Sequence, residues 1–104
     1  MNYQVSADNN AGSIAVHKGD TVEIQLDETP TSGYAWELDK VNSNIAELVS
    51  NEYKLHDGAG IGGGGKRVMK FLVHGKGNGS INLKNWQRWS GDIYRQFKID
   101  IESQ

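Results

Sequence analysis

A chain of 104 residues with 37% hydrophobic residues, 13 glycines and a net charge of −2 is typical of one globular domain. This net charge argues against an electrostatic nucleic-acid binder, and the absence of cysteine excludes a disulfide scaffold and thiol chemistry. Residues 1–57 hold ten acids and three bases, whereas residues 58–104 hold three acids and eight bases. Because apolar residues interrupt both sets of charges, we expect two solvated faces that attract each other.

Neither a membrane span nor an export signal is visible in the sequence. No apolar run reaches the roughly 18 residues that a spanning helix needs. Residues 1–5 lack the basic and apolar regions of a signal peptide. We therefore expect either a cytoplasmic protein or the mature form of an exported one.

The first half of the chain predicts short strands separated by polar turns. Apolar and polar residues alternate at period two most clearly in 21–26, just before a loop that contains the only proline, Pro30. Residues 45–55 carry both helical and strand periodicity, and we interpret them as mostly strand. The predicted strands of this half are 3–7, a segment around Ile14 and Val16, 21–26, 34–38 and 45–55.

The second half begins with an unusual loop, because six of the eight residues from 58 to 65 are glycine. Turn signals recur every eight to twelve residues beyond it. We place strands at 66–74, 80–86 and 93–101. In the last strand, one face carries Ile93, Arg95, Phe97, Ile99 and Ile101.

This series of strands predicts the class of fold. Seven or eight short strands with frequent turns are typical of an antiparallel β-sandwich of immunoglobulin-like type. No long helical period is present, which argues against a parallel sheet with crossover helices. We therefore predict an all-β fold in a single domain, 1–104.

The sequence does not predict an enzyme. His17, His56 and His74 are scattered over predicted edges and loops, at spacings that fit no common zinc motif. Asp27 and Glu28 are adjacent, so in a strand they point to opposite faces and make a poor catalytic pair. No serine lies in a Gly-x-Ser-x-Gly elbow. We expect neither a metal nor a cofactor.

Residues 58–63 match Gly-x-Gly-x-x-Gly, a pattern that follows a strand and opens a helix in dinucleotide-binding proteins. Here the preceding His56 and Asp57 are polar, and the following residues, 66–74, predict a strand. Since a pyrophosphate needs the N-terminus of that helix, we reject a nucleotide site.

Three segments have the composition of an exposed binding surface. Pro30 and Gly33 make the first a rigid turn between two strands. The glycine run allows another backbone to approach closely, although ordering it costs conformational entropy. Trp89 lies beside Arg88 in a short polar loop, a combination common at binding hot spots. Because loops cluster at the two ends of such a sandwich, the three segments could share one end.

In this order, the three segments resemble the chagasin-type inhibitors of papain-like cysteine peptidases. That family carries Asn-Pro-Thr-Thr-Gly-Tyr/Phe before Ala-Trp, then a Gly-x-Gly-Gly loop, then Arg-Pro-Trp-x-Gly. Here 29–36 reads Thr-Pro-Thr-Ser-Gly-Tyr-Ala-Trp, 62–65 is four glycines, and 87–91 reads Gln-Arg-Trp-Ser-Gly. The resemblance extends from about residue 19 to residue 101. The departures from the family pattern are Thr29, Ser32, Gln87 and Arg88.

The resemblance implies a reversible, tight-binding protein inhibitor that wedges three loops, at about 29–34, 58–65 and 86–91, into the active-site cleft. It places Thr31 at the catalytic cysteine, the glycine loop on the unprimed side and Trp89 on the primed side. The implied partners are papain-like cysteine peptidases of cathepsin L or B type, bound by a monomer, with no nucleic acid and no membrane. The positions assigned to peptidase contact are Thr29, Pro30, Thr31, Ser32, Gly33, Tyr34, Gly62, Gly63, Gly64, Gly65, Gln87, Arg88 and Trp89.

Two other classes of protein remain open at this stage. A carbohydrate-binding or adhesion module could use Trp86, Trp89 and Tyr94 as stacking platforms, but it leaves the glycine run and the first loop unexplained. A scaffold domain without an exposed site would treat the segments as an ordinary hairpin loop, a mobile hairpin and a tryptophan folded over the end of the sandwich.

Overall fold

The computed structural model describes residues 1–55 and 64–104, which form a sandwich of two four-stranded sheets. The sheet orders are β1-β3-β6-β5 and β2-β8-β7-β4, and two short 3₁₀ turns cover Ala7–Asn9 and Pro30–Ser32. This architecture confirms the predicted all-β, immunoglobulin-like sandwich. The strands are β1 (Asn2–Val5), β2 (Gly12–Val16), β3 (Thr21–Glu28), β4 (Ala35–Val41), β5 (Ala46–Leu55), β6 (Gly65–Val73), β7 (Gly77–Trp86) and β8 (Ile93–Ser103).

Strand pairing is antiparallel in the interior of both sheets, as predicted, but not at two edges. β3 and β5 both pair with β6, and β4 and β8 both pair with β7, in antiparallel register. Strand β1 instead runs parallel to β3, and β2 runs parallel to β8. The chain changes sheet after β1 and again after β2, so neither strand forms a hairpin with its successor.

The core fills the space between the sheets with alternate residues of the long strands. The prediction that Ile93 shares one face of β8 with Phe97, Ile99 and Ile101 is wrong, because these three are buried in the core whereas Ile93 is 45% exposed. Asn85 pairs with Arg95, but the next residue of β7, Trp86, pairs with Ile93. Strand β8 therefore has one extra residue at this point, and this bulge turns Ile93 away from the core. The largest fully buried side chains are Val16, Val22, Ile24, Met69, Phe71, Val73, Ile81, Leu83, Ile99 and Ile101.

The charged residues do not form the two opposed faces that we predicted. Acid-rich β3 pairs with base-rich β6 in one sheet, and β4, which carries two acids, pairs with β7 in the other. Attraction between the two halves of the sequence therefore occurs between neighbouring strands of the same sheet. The ion pairs between neighbouring strands include Glu23–Lys70, Glu28–Arg67 and Asp39–Lys84, and Glu37 on β4 pairs with Arg88, just beyond the end of β7.

Within 1–55 and 64–104, no helix has the length and apolar character that a membrane crossing requires. The helical content of this part of the chain consists of the two 3₁₀ turns, each three residues long. The sandwich is therefore held together by strand pairing and by the core between the sheets.

Candidate functional site

Strand register brings the three predicted loops to one end of the sandwich. In the first sheet, Gly65 pairs with both Glu28 and Leu55, which aligns the start of the first loop with both ends of the glycine loop. In the second sheet, Trp86 pairs with both Ala35 and Ile93, which aligns the end of the first loop with both ends of the third. The first loop therefore bridges the two sheets, and each sheet contributes one flanking hairpin.

The first loop is a compact turn rather than an extended segment. Pro30–Ser32 is one 3₁₀ turn, and Gly33 ends it in a left-handed conformation with φ of 82°. The carbonyl of Thr29 accepts hydrogen bonds from the Ser32 N–H at 3.0 Å and from the Ser32 hydroxyl at 2.6 Å. The Gly33 N–H donates to the carbonyl of Pro30 at 3.1 Å. Thr29, Pro30 and Thr31 are exposed at the tip.

The third loop packs directly against the first through Trp89 and Gly33. A methyl group on Gly33 would lie 2.8 Å from Cη2 of Trp89, closer than real contacts allow. Trp89 nevertheless remains 75% exposed, so one part of the indole contacts the first loop and the rest faces solvent. The alternative of a tryptophan buried as a lid is excluded by this exposure.

Hydrogen bonds close the third loop without the proline of the family pattern. The Gln87 N–H donates to the carbonyl of Asp92 at 2.9 Å, and the Gly91 N–H donates to the carbonyl of Gln87 at 2.8 Å. The Ser90 hydroxyl donates to Oε1 of Gln87 at 2.9 Å. Arg88 points its guanidinium to Glu37 on β4, with Nη2 and Oε1 2.8 Å apart. Gln87 thus supports the loop, whereas Arg88 is paired along the flank of the sheet.

A second contact between the first and third loops involves Tyr34. Its hydroxyl donates a hydrogen bond to the carboxylate of Asp92, and its ring lies 5.6 Å from the ring of Tyr94. Because this hydrogen bond stabilises the neutral phenol, the Asp92 carboxylate raises the pKa of Tyr34 above its ordinary value of 10.0. Sequence reasoning did not identify Asp92, since nothing local to the loop indicates a partner 58 residues away.

The base of the first loop is held by a buried carboxylate that the sequence analysis also missed. Glu28 is 4% exposed and accepts hydrogen bonds from the Trp36 N–H and from the guanidinium of Arg67. The signal was present in the sequence, because Glu28 continues the alternating core positions of β3. Asp27 points to the opposite, exposed side, as the strand prediction required.

Only the C-terminal end of the glycine loop belongs to the described residues. Gly62 and Gly63 lie outside them, as do residues 58–61. Gly64 lies beside the first loop, since a methyl group there would be 3.3 Å from Oγ1 of Thr29. Gly65 begins β6, where a methyl group would collide with the carbonyl of Lys54. A strand therefore follows the glycine run, as predicted, at the point where a dinucleotide-binding motif requires a helix.

The residues considered for catalysis do not come together. His17 and His74 are exposed, and His56 lies outside the described residues. In the described part of the chain, no three His, Asp or Glu side chains are grouped as metal ligands. A cavity of about 760 Å³ lies among Val41, Ser80 and Glu102, away from the three loops. Its walls include exposed serines and asparagines without a nucleophile–base pair.

The aromatic residues do not form a free platform for a sugar. The Lys84 ammonium lies 3.8 Å from the centre of the Trp86 ring, and Tyr94 carries the Arg95 guanidinium 5.0 Å from its ring centre. These cations occupy ring faces that a stacked sugar would need. Trp89 meets Gly33 instead of aligning with the other rings.

The described residues thus form a two-sheet sandwich in which the first and third loops contact each other at one end, and they contain no catalytic cluster. The Chagasin family peptidase inhibitor I42 pattern matches residues 15–101. The chain belongs to this family, and it is therefore a peptidase inhibitor rather than an enzyme. The resemblance predicted from the three motifs is confirmed.

Individual relatives agree with this assignment. Chagasin from Trypanosoma cruzi is 32% identical over 105 residues, which cover 97% of this chain and 96% of chagasin. The cysteine protease inhibitor EhICP2 from Entamoeba histolytica superposes with a TM-score of 0.87 over 99% of this chain and 95% of its own, at 16% identity. PbICP-C, solved in complex with falcipain-2, superposes with a TM-score of 0.67 over 100% and 90%, at 15% identity. These last two similarities describe the fold.

Proposed function

We propose that this protein inhibits papain-like cysteine peptidases, including those of cathepsin L or B type, by placing the tip of its first loop at the catalytic cysteine. The glycine loop and the third loop flank it along the cleft, one from each sheet. The alternative of a carbohydrate-binding module is not proposed, since neither the aromatic geometry nor the relatives support it.

The observation that carries this proposal is the 3₁₀ turn of the first loop between its two neighbours. A peptidase cleaves a peptide that it binds in an extended conformation, but here the carbonyls of Thr29 and Pro30 accept hydrogen bonds inside the turn. Such a turn enters a cleft without offering an extended scissile bond. Because it is already ordered, little conformational entropy is lost on binding.

The flanking loops supply area and anchoring. A glycine backbone can form hydrogen bonds along one side of the cleft as an extended substrate would. On the other side, Trp89 offers an exposed indole whose position is held by Gly33. An interface of roughly 1,600 Å² in total is ordinary for a protease inhibitor.

Titration of active-site-calibrated papain with the wild-type protein and with Thr31→Arg tests the proposal. Thr31 is exposed at the tip, so an arginine there leaves the fold intact but places a bulky cation at the cysteine. We expect tight inhibition by the wild type and an inhibition constant about 100-fold higher for the variant, which is about 2.7 kcal/mol. Ser43→Arg, in an exposed turn after β4, is the matched control and should inhibit as the wild type does.

Equal inhibition by Thr31→Arg and Ser43→Arg would place the first loop outside the cleft. Absence of inhibition by the wild type at micromolar concentration, against papain and against cathepsin L and B, would remove the proposed target class.

A further inference from the structure

The inner face of β3 ends in a charge. Val22, Ile24 and Leu26 point into the core, and the next position on that face, Glu28, is 4% exposed. On the partner strand β6, Arg67 follows the same face and its Nη2 lies 2.8 Å from Oε2 of Glu28. At the loop end, the core face of β3 therefore finishes in an ion pair rather than in an apolar side chain.

The Glu28 carboxylate connects three parts of the loop end. Glu28 itself precedes the first loop, and its Oε1 accepts the Trp36 N–H at 2.7 Å, where that loop has returned to β4. Oε1 also accepts Nε of Arg67 at 3.2 Å, two residues after Gly65. One carboxylate thus joins the start of the first loop, its end and the strand that leaves the glycine loop.

Arg67 is itself fixed by its surroundings. Its Nη1 donates to Oδ1 of Asn51 on β5 at 3.2 Å, and its guanidinium lies 5.8 Å from the centre of the Tyr53 ring. The fork geometry of a guanidinium allows all of these contacts from one plane, and a lysine ammonium would not reproduce them. The Arg67 guanidinium therefore fixes the position of Glu28, and with it the start of the first loop, relative to β5 and β6.

A buried ion pair is weak evidence for a role in stability. Removing two charges from water costs several kcal/mol per ion, and neutral residues of similar volume often stabilise a fold as well or better. Such a pair can instead serve to fix the relative positions of the segments that it joins. Here that geometry is the spacing between the first loop and Gly64, which lies beside Thr29 and the Glu28 carbonyl.

We infer that Glu28 and Arg67 are positioning residues for inhibition: they set the first loop and the exit of the glycine loop at the spacing that the cleft requires. The inference rests on the proposed function, because the spacing matters only if both loops enter one cleft. Neither side chain needs to touch the peptidase. The effect of changing them appears in affinity more than in stability.

The chain contains a matched control on the same two strands. Glu23 pairs with Lys70 across β3 and β6, with Nζ and Oε1 3.5 Å apart, and Glu23 is 7% exposed. Five residues of strand separate Glu23 from Glu28, or roughly 17 Å. This second pair also joins a buried carboxylate of β3 to a cation of β6, with an ammonium in place of the guanidinium, but it lies away from the loops.

The test compares Glu28→Gln/Arg67→Met with Glu23→Gln/Lys70→Met. Both double variants remove one ion pair with little change in volume, and the amide oxygen introduced by Glu28→Gln can still accept the Trp36 N–H. We expect both to unfold near the wild-type temperature. The inhibition constant for papain should rise about tenfold or more for the first and stay within about twofold for the second.

An inhibition constant within about twofold of wild type for a folded Glu28→Gln/Arg67→Met would overturn the inference. If that variant does not fold, Arg67→Lys decides, because it keeps the charge and loses the two-nitrogen contact. Unchanged inhibition by Arg67→Lys overturns the inference, and weaker inhibition by this folded variant supports it.

Amide chemical shifts separate this inference from the proposed function. The N–H signals of Thr31, Gly33 and Gly64 report the geometry of the loop end without a peptidase. If the wild type inhibits no papain-like peptidase, the proposed function fails, and the spacing between the first loop and Gly64 does not serve peptidase binding. In that case, amide shifts that change in Glu28→Gln/Arg67→Met but not in Glu23→Gln/Lys70→Met would still show that the first pair positions the loops. Amide shifts unchanged in both variants would overturn this positioning role.

Discussion

Gly33 is a residue at which backbone conformation and packing impose the same requirement. Its φ of 82° lies in the left-handed region, which residues with a Cβ rarely adopt. Its missing side chain also leaves the space in which Trp89 approaches the first loop. Any larger residue there must strain the turn and move the indole.

Gly33→Ala should therefore have two effects that a matched control separates. Gly19 also has a positive φ, at 97°, but apart from its two chain neighbours no residue has a heavy atom within 4 Å of where its methyl group would be. We expect each alanine variant to lose about 1 kcal/mol of stability in chemical denaturation. Only Gly33→Ala should weaken inhibition, by about tenfold, because it alone displaces Trp89.

A double-variant cycle attributes the loss to the indole. Trp89→Ala alone should cost about 2 kcal/mol in binding, since we propose its exposed indole as the anchor of the third loop. Adding Gly33→Ala to Trp89→Ala should then change the inhibition constant by no more than about twofold. Fully additive losses would show that Gly33 acts on affinity independently of Trp89.

At the scale of elements, the first and third loops form one unit rather than two separate loops. Trp89 packs on Gly33, and Tyr34 donates to the carboxylate of Asp92. The loops belong to different connections, β3–β4 and β7–β8, so these contacts join the two sheets at their shared end. Loss of the hydrogen bond between Tyr34 and Asp92 should therefore change the conformation of both loops.

The raised pKa of Tyr34 gives this unit a specific pH dependence. A group with a raised pKa in the folded state contributes stability that is fully present below its ordinary value, here 10.0, and is lost as pH rises through the folded value. Ultraviolet titration of the phenolates should show a late-ionising component that Tyr34→Phe removes. In Asp92→Asn, Tyr34 should return toward its ordinary pKa, and a titration identical to wild type would contradict the contact.

Local patterns predicted most strands but few of the contacts between them. The alternation of Val22, Ile24 and Leu26 predicted β3 because its side chains must face one core. The same alternation continues to Glu28, but a charged residue at a core position locally indicates the end of a strand, so the predicted strand stopped at residue 26. Its partner Arg67 is 39 residues away, so the ion pair depends on the pairing of β3 with β6. Edge orientation likewise depends on long-range topology.

For the whole molecule, the sandwich converts sequence order into spatial order. The first loop connects the two sheets, and the glycine loop and third loop are hairpins of one sheet each. The first loop therefore lies between one hairpin from each sheet. The motifs predicted the family, whereas the contacts of Gly33, Asp92 and Glu28 required the fold.

Interleaved charges are a second property of the whole molecule. Acidic strands from the first half of the chain lie beside basic strands from the second half, so each sheet carries cross-strand ion pairs. Most of these pairs are exposed on at least one side, where each contributes little to stability. Glu28–Arg67 differs from the other pairs in its position, because its buried carboxylate lies at the base of the first loop.

The most direct test of the account is whether inhibition is competitive with substrate while the inhibitor stays intact. Papain would be assayed at several substrate concentrations with the wild-type protein, and the inhibitor recovered after prolonged incubation for mass measurement. The account predicts an apparent inhibition constant that rises linearly with substrate concentration, and an uncleaved chain. Inhibition independent of substrate, or a cut within residues 29–34, would contradict a compact turn occupying the cleft.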